Sequence, residues 1–320
     1  MHNLKNTRIL VTGGAGLVGS HTCELLIKEE PKEIVMLDDF SRGTRHNINT
    51  ALKSGIVKVV EGDIRNVQTV NDLSRGIDYC FHLAAIRITE CAQDPRKCVE
   101  TLVNGTFNVL EACVKNKVKK VVAASSASVY GMADIFPTRE AHHLYNNRTI
   151  YGAAKVFNEQ LLRSFNEMYG LDYVALRYFN IYGPRMDAMG KYTEVLIKWM
   201  DCLETKMPPN IFGDGLTSMD FVFIKDVARA NILAMQSDAS DMVFNIASGK
   251  ETTLKELLGM FLKLTKSSLK PAYLEERKVN PVRRRLASTE LARKYLNFKA
   301  EVTLEDGLKE LIEWHKSIKK

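Results

Sequence analysis

An apolar run, Arg8-Ile-Leu-Val-Thr12, breaks directly into Gly13-Gly14-Ala15-Gly16-Leu17-Val18-Gly19, and helical periodicity then runs from Leu17 to Glu29. No other feature constrains the chain as much. Glycines at a strand-to-helix turn let backbone N–H groups approach a pyrophosphate, which then sits at the positive end of the helix dipole. Gly-rich turns are common by themselves; strand, glycines and helix in that order are the setting a dinucleotide loop needs. The next apolar run, Glu33 to Asp38, ends in a carboxylate about 20 residues downstream. There Asp38, with Asp39 beside it, would accept hydrogen bonds from the adenosine ribose. A carboxylate at that point repels a 2′-phosphate, which favours NAD over NADP, although Arg42 is a nearby cation that could pair with such a phosphate.

The alternation continues. Val57 to Glu61, Tyr79 to Leu83, Lys119 to Ser125 and Tyr173 to Tyr178 read as strands, and helices are predicted over Pro95 to Lys115 and Tyr151 to Tyr169. Near-continuous apolar strands alternating with helices imply right-handed crossovers, hence an α/β, Rossmann-type doubly wound parallel sheet. Asp63-Ile64, after the third strand, is placed either to meet the adenine or simply to turn the chain. After Asn180 the rhythm breaks. Gly183-Pro184-Arg185, Met207-Pro208-Pro209 and Gly213-Asp214-Gly215 punctuate shorter elements, and a helix is predicted from Leu304 to Ile318. Residues 1–180 are therefore predicted to form the NAD-binding domain. Residues 181–320 are expected to be mainly a smaller C-terminal substrate-binding lobe, with segments interleaved into the main sheet.

The 320 residues carry 45 Lys+Arg against 38 Asp+Glu, a net charge of +7, and 45% are hydrophobic, which excludes a disordered chain. No apolar stretch approaches the ~20 residues of a membrane helix, and the N-terminus has no signal-peptide core. A cytoplasmic protein with no membrane partner is expected. Most of the surplus charge falls in residues 266–320, which hold 14 basic and 8 acidic residues. No aromatic-interleaved patch accompanies it, which argues against nucleic acid and leaves solvated helices or an anion site for phosphates. Cys23, Cys80, Cys91, Cys98, Cys113 and Cys202 form no CxxC pair and no metal spacing, so free thiols and no metal site are expected.

Tyr151-Gly-Ala-Ala-Lys155 begins a helix, and the i,i+4 spacing puts both side chains on one face. A cation beside a phenol lowers its pKa from ~10 toward neutrality and makes Tyr151 a usable general base. Alone, the motif is weak. It follows a serine-rich strand end, Ser125-Ser126-Ala127-Ser128-Val129-Tyr130-Gly131, and strand carboxyl ends are where open α/β sheets bind ligands. Cofactor, base and hydroxyl thus converge on one crevice.

Together with Gly62-Asp63-Ile64, Phe81-His-Leu-Ala-Ala85 and Leu176-Arg-Tyr-Phe-Asn-Ile-Tyr-Gly-Pro-Arg185, these motifs resemble the extended short-chain dehydrogenase/reductase family over almost the whole chain. Within it, the chain is most similar to the NAD-dependent nucleotide-sugar epimerases and dehydratases, especially the UDP-glucose / UDP-N-acetylglucosamine 4-epimerase type. The resemblance implies that Tyr151 takes a proton from a sugar hydroxyl while hydride passes to NAD. Lys155 would hold the nicotinamide ribose, and Ser126, with Ser128 nearby, would hydrogen-bond the reacting oxygen. Further cofactor contacts are implied at Gly13, Gly16, Leu17, Val18, Gly19, Asp38, Asp39, Asp63 and Ile64. The same holds for Leu83, Ala84, Ala85, Arg87 and Tyr178, although Arg87 reads equally as an exposed helix-start arginine. A nucleotide-diphosphate sugar would meet Ser126, Ser128, Tyr151, Asn180, Arg185, Tyr192 and Arg283. His82, a base to the eye, is normally a structural residue in this motif. The helices over 95–115 and 151–169 suggest a homodimer through a four-helix interface, or else a second layer within a monomer.

Three departures from the family pattern bear on the reaction. Ala127 and Ser128 stand where dehydratases place an acidic pair, which favours epimerisation or simple oxidation over loss of water. Met219 stands where many relatives clamp the substrate diphosphate with arginine, and methionine cannot replace an arginine fork. Arg283-Arg284-Arg285 is the expected substitute. Leu102 replaces a frequent asparagine. The expected function is an NAD-dependent nucleotide-sugar 4-epimerase. A nucleotide-sugar 4-dehydrogenase or atypical dehydratase is the enzymatic alternative, and a non-catalytic NAD-binding protein is the rival of another class.

Overall fold

The computed structural model describes residues 2–188, 194–276 and 282–319. Its first half supplies β1 (Arg8–Thr12), β2 (Glu33–Asp38), β3 (Val57–Glu61), β4 (Tyr79–His82), β5 (Lys120–Ser126) and β6 (Asp172–Tyr178). Beyond these lie β7 (Asn180–Tyr182), β8 (Asn210–Phe212), β9 (Ser218–Phe223), β10 (Met242–Ile246), β11 (Glu251–Thr253) and β12 (Ala272–Leu274). Helices α1 (Leu17–Lys28), α2 (Arg45–Leu52) and α3 (Val67–Leu73) fill the first crossovers. They are followed by α4 (Ile88–Gln93), α5 (Pro95–Val99), α6 (Gly105–Lys115) and α7 (Ile150–Tyr169). The later helices are α8 (Val195–Glu204), α9 (Ile224–Gln236), α10 (Leu254–Thr265), α11 (Glu290–Leu296) and α12 (Leu304–Ile318).

Seven strands form one parallel sheet in the order β3-β2-β1-β4-β5-β6-β10. Their apolar runs are continuous because both faces are covered. Ile9, Val11, Met36 and Phe81 belong to one core cluster, while Leu10, Val35, Leu37 and Cys80 belong to the other. The strand order reverses at β1, and such a reversal opens a crevice at the carboxyl ends of the strands. A smaller sheet, β11-β9-β7, and the pair β12-β8 stand apart from the main sheet. β10 leaves that region and pairs with β6 from Met242↔Val174 to Ile246↔Tyr178.

The helix predicted over 95–115 is present but not uniform. Between α5 and α6, Glu100–Asn104 takes a π-helical turn. Leu102, buried on that turn, packs with Ile86, Cys91, Cys98 and Ala154, and Tyr151 lies against the same cluster. An apolar side chain suits this position for that reason. Cys91 and Cys98 are joined in a disulfide with Cα atoms 4.8 Å apart, which corrects the expectation that all six cysteines are free thiols. The turn at Asp94, which caps α5 ahead of Pro95, folds α5 back on the end of α4, and no CxxC spacing announces it. Cys23, Cys80, Cys113 and Cys202 are free. No helix among the described residues is long and apolar enough to cross a membrane.

Under the carboxyl ends of β5 and β6 lies a buried polar network. Arg177 donates to Glu159 through Nε at 2.9 Å and Nη2 at 2.6 Å, and Ser125 Oγ donates to the same carboxylate at 2.5 Å. The remaining Arg177 nitrogen donates to the Tyr130 hydroxyl at 2.9 Å and the Glu140 carbonyl at 2.8 Å. Tyr130 in turn donates to Asn245 of β10 at 2.6 Å. Removing one partner of a buried pair leaves the other charge uncompensated, a cost of about 3–5 kcal/mol. Arg177→Met is therefore expected to lower stability by about that amount in urea unfolding. Glu159→Gln, which leaves the buried Arg177 guanidinium without its counter-ion, should also lose stability.

Candidate active site

The glycine loop is built by close approach. Gly13 has φ 70°, and a Cβ there would come within 2.7 Å of the Ala84 nitrogen; one on Gly19 would come within 2.1 Å of the Gly13 carbonyl oxygen. Gly16, the N-cap of α1, is different. A Cβ on it would have Gly13 O, at 3.4 Å, as its nearest neighbour, and no side chain caps the helix. The first turn of α1 therefore keeps its N–H groups for a ligand. Across the loop, Asp38 is fixed by two backbone donors, Ala15 N to Oδ2 and Phe40 N to Oδ1, both at 2.9 Å. This cradle, with a carboxylate beside it, fits the adenosine diphosphate half of a dinucleotide. Arg42, which also lines the cleft, has Arg87, Asp187, Glu194 and Glu90 as charged neighbours.

The loop opens into a cleft of about 750 Å³. Gly13, Gly16, Leu17, Val18 and Gly19 line it with Asp38, Asp39, Asp63 and Ile64. Leu83, Ala84, Ala85 and Arg87 continue the wall to Ser126, Ser128, Tyr151, Lys155, Tyr178, Asn180 and Arg185. Asp63 is held by Arg65 at 2.6 and 2.8 Å, which combines a turn with a cleft-facing carboxylate. Arg185 faces two ways, since it lines the cleft yet pairs with Glu24 of α1. Tyr178 donates to Asn231 at 2.7 Å and so presents its ring rather than its hydroxyl for use. Tyr192 lies outside the described residues.

The three arginines expected to replace a clamp part company. Arg283 does not line the cleft; it pairs with Glu276 at 2.7 Å and lies 4.0 Å from Asp214. Arg284 makes two 2.8 Å bonds to Glu251. Arg285 turns inward and lines the cleft, as does Met219. A sequence of three consecutive arginines does not say which one enters. Asp220 settles the path of this segment, accepting from Ser248 and Gly249 and, at 3.3 Å, from the Ala287 backbone.

Ser126, Tyr151 and Lys155 come together where β5 meets α7. Thr149 caps α7 by accepting from Gly152 N, which places Tyr151 in the first turn and Lys155 one turn on. Tyr151 shares a hydrogen bond with Ser126. Burial pushes its phenol above the usual range, and Ser126 with the charges of Arg42 and Arg285 pulls it back. Lys155 Nζ lies 5.9 Å from the Tyr151 ring centroid and donates to the Ala124 carbonyl at 2.7 Å. Burial lowers the Lys155 pKa to about 8. The cations bearing on the phenol thus include two that its own motif does not contain.

His82 is spent on structure. Thr106 Oγ1 gives its proton to the Leu102 carbonyl at 2.6 Å and so accepts from His82 Nε2 at 3.0 Å. His82 Nδ1 then accepts from Thr12 Oγ1 at 2.8 Å. Burial pushes the imidazole pKa down to about 3, which keeps the ring neutral. Away from the cleft, Asp134, His142 and His143 bring ligand-type atoms within 4.8 Å of one another, with His142 Nε2 2.7 Å from Asp134.

Comparison with known proteins agrees with this geometry. The model of the NAD dependent epimerase/dehydratase family matches residues 9–247. A putative UDP-glucose 4-epimerase of Methanocaldococcus jannaschii is 33% identical over 312 residues, covering 97% of this chain and 98% of its own. The UDP-N-acetylglucosamine 4-epimerase of Methanobrevibacter ruminantium M1, solved with UDP-N-acetylmuramic acid, superposes with a TM-score of 0.92. It is 33% identical and covers 98% of this chain and 99% of its own. The UDP-glucose 4-epimerase of Thermotoga maritima, solved with UDP-glucose, superposes with a TM-score of 0.91. It is 32% identical, with 98% and 100% of the two chains covered. On its sheet, its glycine cradle and these matches, the chain belongs to the NAD dependent epimerase/dehydratase family.

Proposed function

We propose that this protein is an NAD-dependent nucleotide-sugar 4-epimerase. The observation that carries the reading is the meeting of Ser126, Tyr151 and Lys155 with the glycine cradle and Asp38 in one cleft. NAD would be held by the Gly13–Gly19 loop, Asp38 and Lys155, and when bound supplies the hydride acceptor and donor that no side chain provides. Tyr151 takes the proton of the sugar 4-hydroxyl as the C4–H bond breaks, which leaves a 4-keto sugar, and returns that proton to the same oxygen once the other face of the carbonyl is reduced. Ser126 shares its hydrogen bond with Tyr151 and with the reacting oxygen. Ala127 is buried and Ser128 faces the cleft, so the two positions after Ser126 offer no acid to expel a hydroxyl as water.

In this reading residues 1–180 bind the dinucleotide, and most of residues 181–320 forms the smaller lobe that closes over the nucleotide sugar. The pairing of two chains through α5–α6 and α7 is also proposed, because Val99, Phe107 and Phe157 are exposed there. Apolar side chains of this size on neighbouring helices suit a partner's matching pair.

Incubation with a panel of nucleotide sugars, followed by NMR and by absorbance at the NADH band, tests the reaction. A C4-inverted product with no net NADH is expected; accumulating NADH would mean a 4-dehydrogenase, and loss of water a dehydratase. Tyr151→Phe should cut turnover by about 10²–10⁴-fold, the usual worth of a positioned base, without loss of fold by circular dichroism. The pH profile follows from Lys155. Its charge is present below about 8 and lost above it, so kcat/KM should fall on the alkaline side near that value. Lys155→Arg, which stays charged, should move that limb upward. Sedimentation should show a dimer that Phe157→Glu converts to a monomer.

A further inference from the structure

Arg285 stands in an unusual position for a cation. The segment that carries it is tied to β9: Ser218 N donates to the Arg283 carbonyl at 2.9 Å, and Arg285 N donates to the Ser218 carbonyl at 3.0 Å. Its two neighbours are turned outward and paired with Glu276 and Glu251. Arg285 is turned into the cleft wall, where no carboxylate among the described residues lies within ion-pair distance of it. The two internal segments outside the described residues, 189–193 and 277–281, contain no Asp or Glu. Burial draws the guanidinium pKa down to about 10, with Tyr151 as the charge partner that opposes it.

A desolvated guanidinium without a counter-ion is costly, and ligand charge can relieve it. Its place along the cleft says which part of the ligand that is. Tyr151 marks the reacting carbon of the sugar, whereas Asp38 and Asp63 mark the far, adenosine side of the cofactor groove. Arg285 also borders a small side cavity that it shares with Ser128, Thr149 and Arg148. This recess beside Tyr151 and Ser128 adds a second cation close to the sugar.

Resting on the nucleotide-sugar reading of the cleft, we propose that Arg285 receives a carboxylate borne by the sugar itself, so that the substrate is an acidic nucleotide sugar. A planar guanidinium matches a carboxylate through two parallel hydrogen bonds, which makes arginine the fitting residue for that group. The carboxylate can be C6 of a hexuronate or a lactyl ether on a hexosamine. Both present the same group, and the two acidic probes below separate them.

The full chain is assayed for C4 inversion with UDP-glucose, UDP-N-acetylglucosamine, UDP-glucuronate and UDP-N-acetylmuramate, and binding of the same four is measured by calorimetry. At least one acidic sugar should exceed its neutral counterpart in kcat/KM by about 100-fold, the scale of a desolvated charge pair. Arg285→Ser should collapse that ratio chiefly through KM, and Arg285→Lys should recover part of it. Equal or better use of both neutral sugars by the unaltered protein would overturn the proposal. So would an Arg285→Ser variant that slows acidic and neutral sugars by one common factor, since Arg285 would then act through Tyr151 alone. If no sugar is inverted, the epimerase reading fails separately, and calorimetry still decides. Tighter binding of an acidic sugar supports the proposal, while equal affinity, or none, overturns it.

Discussion

The Glu159–Arg177 pair holds together the elements that carry Ser126, Tyr151 and Lys155. It joins α7, which carries Tyr151 and Lys155, to β6 and, through Ser125, to the end of β5, which carries Ser126. Through Tyr130 and Asn245 it also reaches β10. A charge pair this deep contributes less to net stability than its geometry suggests, because desolvation offsets most of the attraction. Its value lies in position. Two parallel bonds between a planar guanidinium and a carboxylate fix both orientation and distance, so Tyr151 and Ser126 are set by the same network that closes the sheet.

Around that anchor, charges in the cleft are arranged unevenly. His82 looks like a catalytic group, but its ring is held neutral between two threonines. Lys155 is close to Tyr151 in sequence, yet its ammonium is anchored to the Ala124 carbonyl. Arg42 and Arg285, both distant in the chain, add positive charge at the phenol. The motif supplies Tyr151 and Lys155, and the fold supplies the field around the phenol.

Much of the architecture is legible in the sequence. Strands buried on both faces read as unbroken apolar runs, so β1 and β2 are found within their observed bounds. The glycine loop is legible because close backbone approach tolerates no side chain. What escapes is whatever depends on partners remote in sequence. Arg283, Arg284 and Arg285 are one chemistry three times over, and only Glu276 and Glu251 sort them. Cys91 and Cys98 carry no pairing signature, since the turn at Asp94 is what brings them together. The π-helical turn at Glu100–Asn104 is likewise silent in a run whose periodicity predicts a plain helix.

β10 gives the fold an interlock. The chain crosses into the smaller sheets after β6 and then returns a strand to the outer side of β6, so the main sheet is finished by residues that come after those strands in the chain. Cut between β6 and β7, the first half would be left with β6 as a bare edge, its row of amides open to mispairing. The two halves of the chain are therefore not exchangeable modules, and new substrate preferences cannot be acquired by trading one half for another. They must come from short stretches laid across the cleft, of which the arginine-bearing segment tied to β9 is the clearest instance.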